Sequence, residues 1–316
     1  MSRSSEQDAL VPIEGPFNIE DAASWVRAAL PEAGQLEIVQ EEPWASVYRA
    51  PVEDSVVWFK ACAPHLAFEV PLTAALSSRW PATVTEVIAS DDDRRWLLMR
   101  DAGASLDTLG NPPERWLEVL PAYAELQIGE TAHTEEHLAW GVPDLRPERL
   151  PALAGELSAV DLPLEAAERA TLRSLMPRFR QMCEELDGLG IAPSIQHDDL
   201  HVTNVYLKDR LRILDWGDSV VSHPFFSLFV TFRFLAERNG FAAGDPWYDR
   251  LRDAYLEPWG GDQRRTFELA LRASGIAHAV EWLAQRDTVP AAELPDFNRW
   301  FAVILRLALA RATHET

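Results

Sequence analysis

The chain of 316 residues predicts an α+β fold with two lobes, a small sheet-containing one followed by a larger helical one. Three observations carry that prediction. Short β-branched and aromatic runs, punctuated by turn residues, crowd the first hundred positions. Helical periodicity dominates from about residue 114 onwards. A single hairpin of apolar strands, "NVYLKDRLRILD", interrupts those helices.

Taken in order, residues 1–12 read as a loose tail. "NIEDAASWVRAAL" opens on Asn18 as an N-cap and continues with apolar residues at helical spacing. "LEIVQE", "ASVYRA" and "DSVVWFKA" read as strands, separated by the turn-like "EEPW" and "PVED". A helix is expected from Leu66 to Arg79, with Pro71 tolerated near its start. "TVTEVIAS" and "RWLLMR" then read as two strands. The first lobe is therefore assigned to residues 13–100 and the second to residues 101–316. In the second lobe, helices are expected over 114–136 (bent at Pro121), 164–186, 224–239, 245–257, 262–287 and 293–312.

Composition narrows the function. A net charge of −21 and the lack of a basic stripe argue against a nucleic-acid partner and favour cationic small molecules near the surface. No apolar run approaches the length of a membrane span. The N-terminal residues lack the apolar segment of a signal peptide, and Cys62 and Cys183 fall in no metal or redox spacing. A cytoplasmic protein is expected. Lysine occurs twice, at Lys60 and Lys208, so a lysine at a strand end draws attention.

The densest cluster of polar residues is "SIQHDDLHVTNVYLKDRLRILDWGDS". A two-residue turn at Asp209-Arg210 would set Asn204 opposite Asp215 at the open end of the hairpin. An amide oxygen beside a carboxylate is a hard-oxygen pair suited to Mg²⁺. Asp199, five residues before Asn204, would be placed to accept a proton from an attacking hydroxyl. A metal-dependent hydrolase using His197, Asp199, His201 and Asp215 is a competing reading, but the remaining histidines show no supporting spacing.

"HDDLHVTN" followed by "ILDWGD" resembles the H-x-D-x-x-x-x-N and Asp-Trp/Phe-Gly elements of aminoglycoside phosphotransferases and choline kinases, small-molecule relatives of the protein kinases. "VVWFK", Glu69, "WLLMRDAG", "AYAELQ" and "GVPDLRPERLP" extend the resemblance over residues 35–310. It implies a protein-kinase-like fold and an ATP-dependent phosphotransferase, with GTP also allowed, that moves the γ-phosphate to a hydroxyl of a small, cationic or amine-bearing acceptor. Asp199 would be the catalytic base, and Asn204 and Asp215 would hold Mg²⁺. Lys60, steadied by Glu69, would bind phosphate. Ser46 would lie in the phosphate-covering loop, and the backbone around Met99, Arg100 and Ala102 would bind adenine.

The chain departs from that pattern in three places. The loop "EEPWASVYRA" has no glycine, Asp198 stands where the family more often has glycine, and Ser227 replaces an aspartate that stabilises the helical lobe. A catalytically impaired nucleotide-binding module is therefore the alternative. Asp198 is expected to face solvent, His197 and His201 to brace the loop, and Asp218 to cap a turn, with metal contact as its alternative role. Acceptor contacts are sought among Asp245, Asp249, Glu257, Glu281 and Asp287, with Trp247, Trp259 and Trp282 as faces for ammonium groups.

Overall fold

The computed structural model describes residues 18–242 and 244–313. The expected tail, residues 1–12, lies outside them. Helix α1 (Ile19–Ala29) starts where Asn18 accepts the Glu20 N–H through its side chain. Strands β1 (Glu37–Glu42), β2 (Ala45–Val52) and β3 (Ser55–Cys62) follow as an antiparallel meander. Helix α2 (Glu69–Arg79) comes next, then β4 (Val87–Asp91) and β5 (Trp96–Arg100), completing a five-stranded antiparallel sheet of order β1-β2-β3-β5-β4.

Alternation along β3 decides what each face of this sheet does. Val57, Phe59 and Ala61 pack with Ala22 and Val26 of α1 and with Leu30 just beyond it. Lys60 and Cys62 point the other way, towards α2, where Cys62 meets Val70 and Leu97. A lysine inside an apolar strand is thus delivered to one buried face by period two alone.

Two expected boundaries shift. The segment 64–66 forms a separate 3-10 turn, so α2 begins at Glu69 and Pro71 takes its third position, where its missing N–H costs nothing. Residues 83–86 do not join the sheet; Val84 instead bridges Ile213, and Thr83 accepts the Ile213 N–H. This contact anchors the first lobe on the second.

The second lobe is helical around two small sheets. Strand β6 (Ala104–Ser105) precedes α3 (Pro113–Glu130), α4 (Thr134–Ala139), α5 (Leu150–Ala154) and α6 (Ala166–Gly188). The single helix expected over 114–136 is thus divided by a 3-10 turn at 131–133. Strands β7 (Ser194–Gln196), β8 (Val205–Leu207), β9 (Leu211–Ile213) and β10 (Val220–Ser222) follow; β7 pairs β10, and β6, β8 and β9 form a three-stranded sheet. Helices α7 (Leu228–Asn239), α8 (Pro246–Leu256), α9 (Arg264–Arg286) and α10 (Leu294–Thr313) close the lobe. Gly275 lets α10 approach α9: a Cβ there would lie 2.8 Å from the Ala308 Cα, closer than Cβ atoms come to their neighbours in folded proteins. Among the described residues, no helix is long and apolar enough to cross a membrane.

Trp116, Leu120, Tyr123 and Gln127 form a buried stripe on α3 at spacings of three and four. Gln127 is the polar centre of the lobe. Its side-chain nitrogen donates to the Ile195 carbonyl (3.0 Å) and the Pro224 carbonyl (3.2 Å), and its oxygen accepts from the Tyr255 hydroxyl (2.6 Å). Its own carbonyl accepts from Ser194. One fully buried amide therefore joins α3, β7, α8 and the turn before α7.

Gln127→Leu removes partners from several buried groups at once. The expected loss is about 2–5 kcal/mol of unfolding free energy, measured by urea denaturation; a loss within 0.5 kcal/mol, roughly that of a neutral surface change, would contradict the central role. His223 gives a second expectation. Its Nδ1 accepts the Phe225 N–H, and burial pushes its pKa down to about 3. A histidine held neutral in the folded chain contributes stability that is complete above about pH 6.5 and lost as pH falls from there towards 3. Unfolding titrations should show His223→Asn, which keeps an acceptor, losing less stability across that window, by up to about 1.4 kcal/mol per pH unit.

Candidate active site

A cavity of about 890 Å³ opens between the sheet, the hairpin and helices α7, α9 and α10. Its lining includes Lys60, Asp199, Asn204 and Asp215. Four residues chosen from separate parts of the sequence are therefore brought together.

Lys60 is buried, and its ammonium lies 2.5 Å from Glu69 Oε1 and 2.7 Å from Asp215 Oδ1. Burial alone would lower its pKa, but Asp215 and Glu69 together hold it well above the usual lysine value. In turn Lys60 keeps Asp215 below the ordinary carboxylate range. Burial raises Glu69, with Lys60 opposing; Glu69 Oε2 also accepts from the Cys62 thiol at 3.3 Å. Glu69 supports the lysine from behind and does not itself line the cavity.

The hairpin register differs from expectation. Val205 faces Ile213 and Leu207 faces Leu211, while the Leu214 N–H donates to the Asn204 carbonyl. The loop is thus the three residues Lys208, Asp209 and Arg210, and Asn204 opposes Leu214, not Asp215. Neither Asp209 nor Arg210 takes the positive φ that a two-residue turn of the favoured type demands. Asp215 reaches the cavity by another route. Its backbone is left-handed, φ 65° and ψ 70°, and a 3-10 turn over Trp216–Asp218 follows at once.

The loop that carries Asp199 rests on main-chain anchors. The His197 N–H donates to the Tyr123 hydroxyl at 2.9 Å, and Tyr123 in turn contacts Ser227 Oγ at 2.8 Å. Ser227, noted above as a departure, thus joins the support of this loop through Tyr123. His197 is wholly buried, its Nε2 bonds the Leu214 carbonyl at 2.8 Å, and its ring lies 4.8 Å from Trp216. Burial lowers its pKa, consistent with a brace. Asp199 remains partly exposed and accepts from Asn204 Nδ2 at 2.9 Å, with His201 Nε2 3.1 Å away. The His201 ring stacks on Phe234 with centroids 4.1 Å apart.

Two acidic residues correct their expected roles. Asp198 is buried rather than solvent-facing, with Oδ2 2.9 Å from His278 Nδ1 and Oδ1 accepting from Gln196. Its φ of 58° explains the family's frequent glycine: the backbone is left-handed here. Asp218 lines the cavity and accepts from Gln285 at 2.9 Å, so it caps no turn through its side chain. Burial, then Asp199 and its neighbours, raise Asp218 well above the usual range. Glu281 is raised likewise by burial and by Asp198.

Most of the remaining expected residues lie outside the cavity lining. Ser46 is bound into the sheet between Glu41 and Ala61, and its buried hydroxyl has no partner, so it does not point at the cavity. The β1–β2 connection is the two-residue Pro43-Trp44, which does line it. Met99 and Arg100 end β5; the Arg100 N–H donates to the Glu86 carbonyl, and its carbonyl accepts from Thr85. Ala102 is buried just beyond. Of the expected acceptor candidates, Glu281 and Trp282 line the cavity, whereas Asp245 caps α8 and Asp249, Glu257, Asp287, Trp247 and Trp259 lie elsewhere. Sequence reasoning missed His278, Gln285 and Arg233. The first two share a helical face with Glu281 at spacings of three and four, a periodicity that could have pointed to them.

With this geometry in place, comparison with known proteins is informative. The family described as "Phosphotransferase enzyme family" matches residues 47–269, more than half the chain, so the chain belongs to that family. A search of curated proteins finds no match. Among solved structures, a choline kinase from Cryptosporidium parvum Iowa II is similar with a TM-score of 0.64 and 11% identity, covering 93% of this chain and 95% of that one. A choline/ethanolamine kinase family protein from Mesorhizobium loti gives a TM-score of 0.59 at 16% identity, covering 93% and 99%. The GDP and kanamycin complex of APH(2")-IIia gives 0.59 at 16%, covering 92% and 98%. These likenesses establish the two-lobe kinase-like fold.

Gly217 ties the lobes sterically as well as electrostatically. A Cβ there would stand 3.0 Å from Glu69 Oε2, which is buried and already engaged. Gly217→Ala should displace the Glu69 carboxylate and cost about 1–3 kcal/mol; an unchanged melting temperature would show that the contact yields freely.

Proposed function

We propose that the chain is a small-molecule kinase that transfers the γ-phosphate of ATP to a hydroxyl of a compact, amine-bearing acceptor. The observation that carries this reading is the convergence of Lys60, Asp199, Asn204 and Asp215 on one cavity. Phosphoryl transfer asks a protein mainly for alignment and charge neutralisation, and these are the residue types that supply both.

Asp199 is assigned as the base that orients the acceptor hydroxyl and takes its proton. Its Oδ2 is already fixed by Asn204, which leaves a partly exposed carboxylate turned to the cavity. Lys60 is assigned to the nucleotide phosphates, with Glu69 holding its ammonium in place. The Asn204 amide oxygen and the Asp215 carboxylate form a hard-oxygen pair that fits Mg²⁺, which when bound neutralises phosphate charge. Residues 13–100 are taken as the nucleotide-binding lobe and 101–316 as the lobe of the catalytic loop and acceptor site. Adenine is assigned to the backbone near Met99, Arg100 and Ala102, and GTP is the second donor to test, since one similar structure is named as a GDP complex.

One observation favours the alternative, a nucleotide-binding module with impaired transfer. The β1–β2 turn offers Pro43, which has no N–H, where backbone donors would cover the phosphates, and Ser46 is locked in the sheet. Turnover separates the two readings. ADP release with Mg·ATP should appear for at least one acceptor among aminoglycosides, choline, amino sugars and hydroxy-amino acids. Asp199→Asn should reduce it by about 10²–10⁴-fold while nucleotide binding persists. Asp215→Asn should raise the Mg²⁺ concentration needed for binding. ATP binding without turnover across the panel would instead support the impaired module.

A further inference from the structure

The cavity wall carries charges that the protein leaves uncompensated. Helix α9 presents His278, Glu281, Trp282 and Gln285 on one face of the cavity. Asp198 takes His278 as its partner. Glu281 and Asp218 share a single neutral partner, the Gln285 amide, and neither makes an ion pair among the described residues. Buried Glu281 and half-buried Asp218, joined by one amide, have no cation as partner among the described residues.

Across the same cavity stands the opposite defect. Arg233 of α7 lines it, makes no ion pair among the described residues, and keeps a buried Nε–H with no acceptor. Its guanidinium lies 4.7 Å from the Phe234 ring, the ring on which His201 stacks. Arg233 and Glu281 line the same cavity as Asp199, yet they do not pair with each other. Lys60, by contrast, is compensated twice and lies with Asp215.

We propose that the acceptor is zwitterionic, a hydroxy-amino acid whose ammonium lies against Glu281 and Asp218, whose carboxylate meets Arg233, and whose hydroxyl reaches Asp199. This deepens the kinase reading and rests on it. An arginine fork matches a carboxylate through two parallel N–H donors, the bond its Nε–H lacks. A simple cation would satisfy only the acidic wall and leave the buried Nε–H of half-buried Arg233 without an acceptor. In the reaction, the acceptor oxygen forms a bond to the γ-phosphorus as the bond from that phosphorus to the β–γ bridging oxygen breaks. The hydroxyl proton passes to Asp199, and ADP leaves with the phosphate ester of the amino acid.

The test uses the full chain with L-serine, L-threonine and L-homoserine, each beside its amino-alcohol analogue lacking the carboxylate and its hydroxy-acid analogue lacking the amine. Binding is measured by calorimetry with a non-hydrolysable ATP analogue, and turnover by ADP release. At least one hydroxy-amino acid should bind and turn over at least tenfold better in kcat/KM than either analogue. Arg233→Gln should erase its advantage over the amino alcohol, and Glu281→Gln its advantage over the hydroxy acid. Arg233→Lys should recover part of the first. If no hydroxy-amino acid binds, or if amino alcohols or choline are preferred, the proposal is overturned while the kinase reading stands. If Arg233→Gln lowers kcat equally for every acceptor, the arginine serves the transferred phosphoryl group and the carboxylate assignment fails. Zwitterion binding that depends on Arg233, without ADP release, would keep the acceptor site and overturn the kinase reading.

Discussion

The ammonium of Lys60 is the point on which the two lobes agree. It sits on the buried face of a strand, meets Glu69 from a helix of its own lobe, and meets Asp215 from the other lobe. A charge taken out of water costs several kcal/mol unless it is paired, and here each lobe supplies part of the pairing. Removing either partner would strand a buried charge, so sheet, helix and hairpin are held in one arrangement by electrostatics rather than by surface area alone. Gly217 packs against the back of Glu69 and sharpens the same constraint. The exposed hydrogen bond from the Lys208 ammonium to Ser55 Oγ also crosses between the lobes, but solvent leaves it a minor contributor.

The catalytic loop depends on a second, neutral network. Gln127, Tyr123, Ser227, Ser194 and Tyr255 satisfy one another inside the helical lobe, and the His197 N–H hangs from Tyr123. An aspartate at position 227 would bring a formal charge into this core. The hydroxyl relay through Tyr123 gives support without that desolvation cost. Asp198 adds a third tie, reaching through His278 to α9, so the loop bearing Asp199 is bonded to the helix bearing Glu281.

The strong acidity of the chain acquires a local meaning in the cavity. Carboxylates from the catalytic loop, the turn after Asp215 and α9 gather there, and burial together with mutual repulsion raises Asp218 and Glu281. Arg233, set apart from that wall, gives the cavity two signs instead of one, the division on which the proposed zwitterionic acceptor rests.

The sequence by itself determined the α+β order and the lobe pattern and drew attention to Lys60, Asp199, Asn204 and Asp215, which the structure gathers on one cavity, because period-two strands, helical stripes and short motif spacings are local properties of a chain. Strand β3 placed Lys60 on a definite face before any tertiary contact was known. Local pattern failed where the outcome depends on what lies opposite. The hairpin register shifted by one because its turn took three residues, and Asp215 arrived through a left-handed backbone that no periodicity announces. Ser46 turned inward once its strand was paired on both sides. Asp198 seemed solvent-facing until His278, eighty positions away, supplied its partner. Tertiary structure alone decided that Arg233 and Glu281 face one cavity without touching, since their separation is set by how α7 and α9 pack and by nothing in either helix.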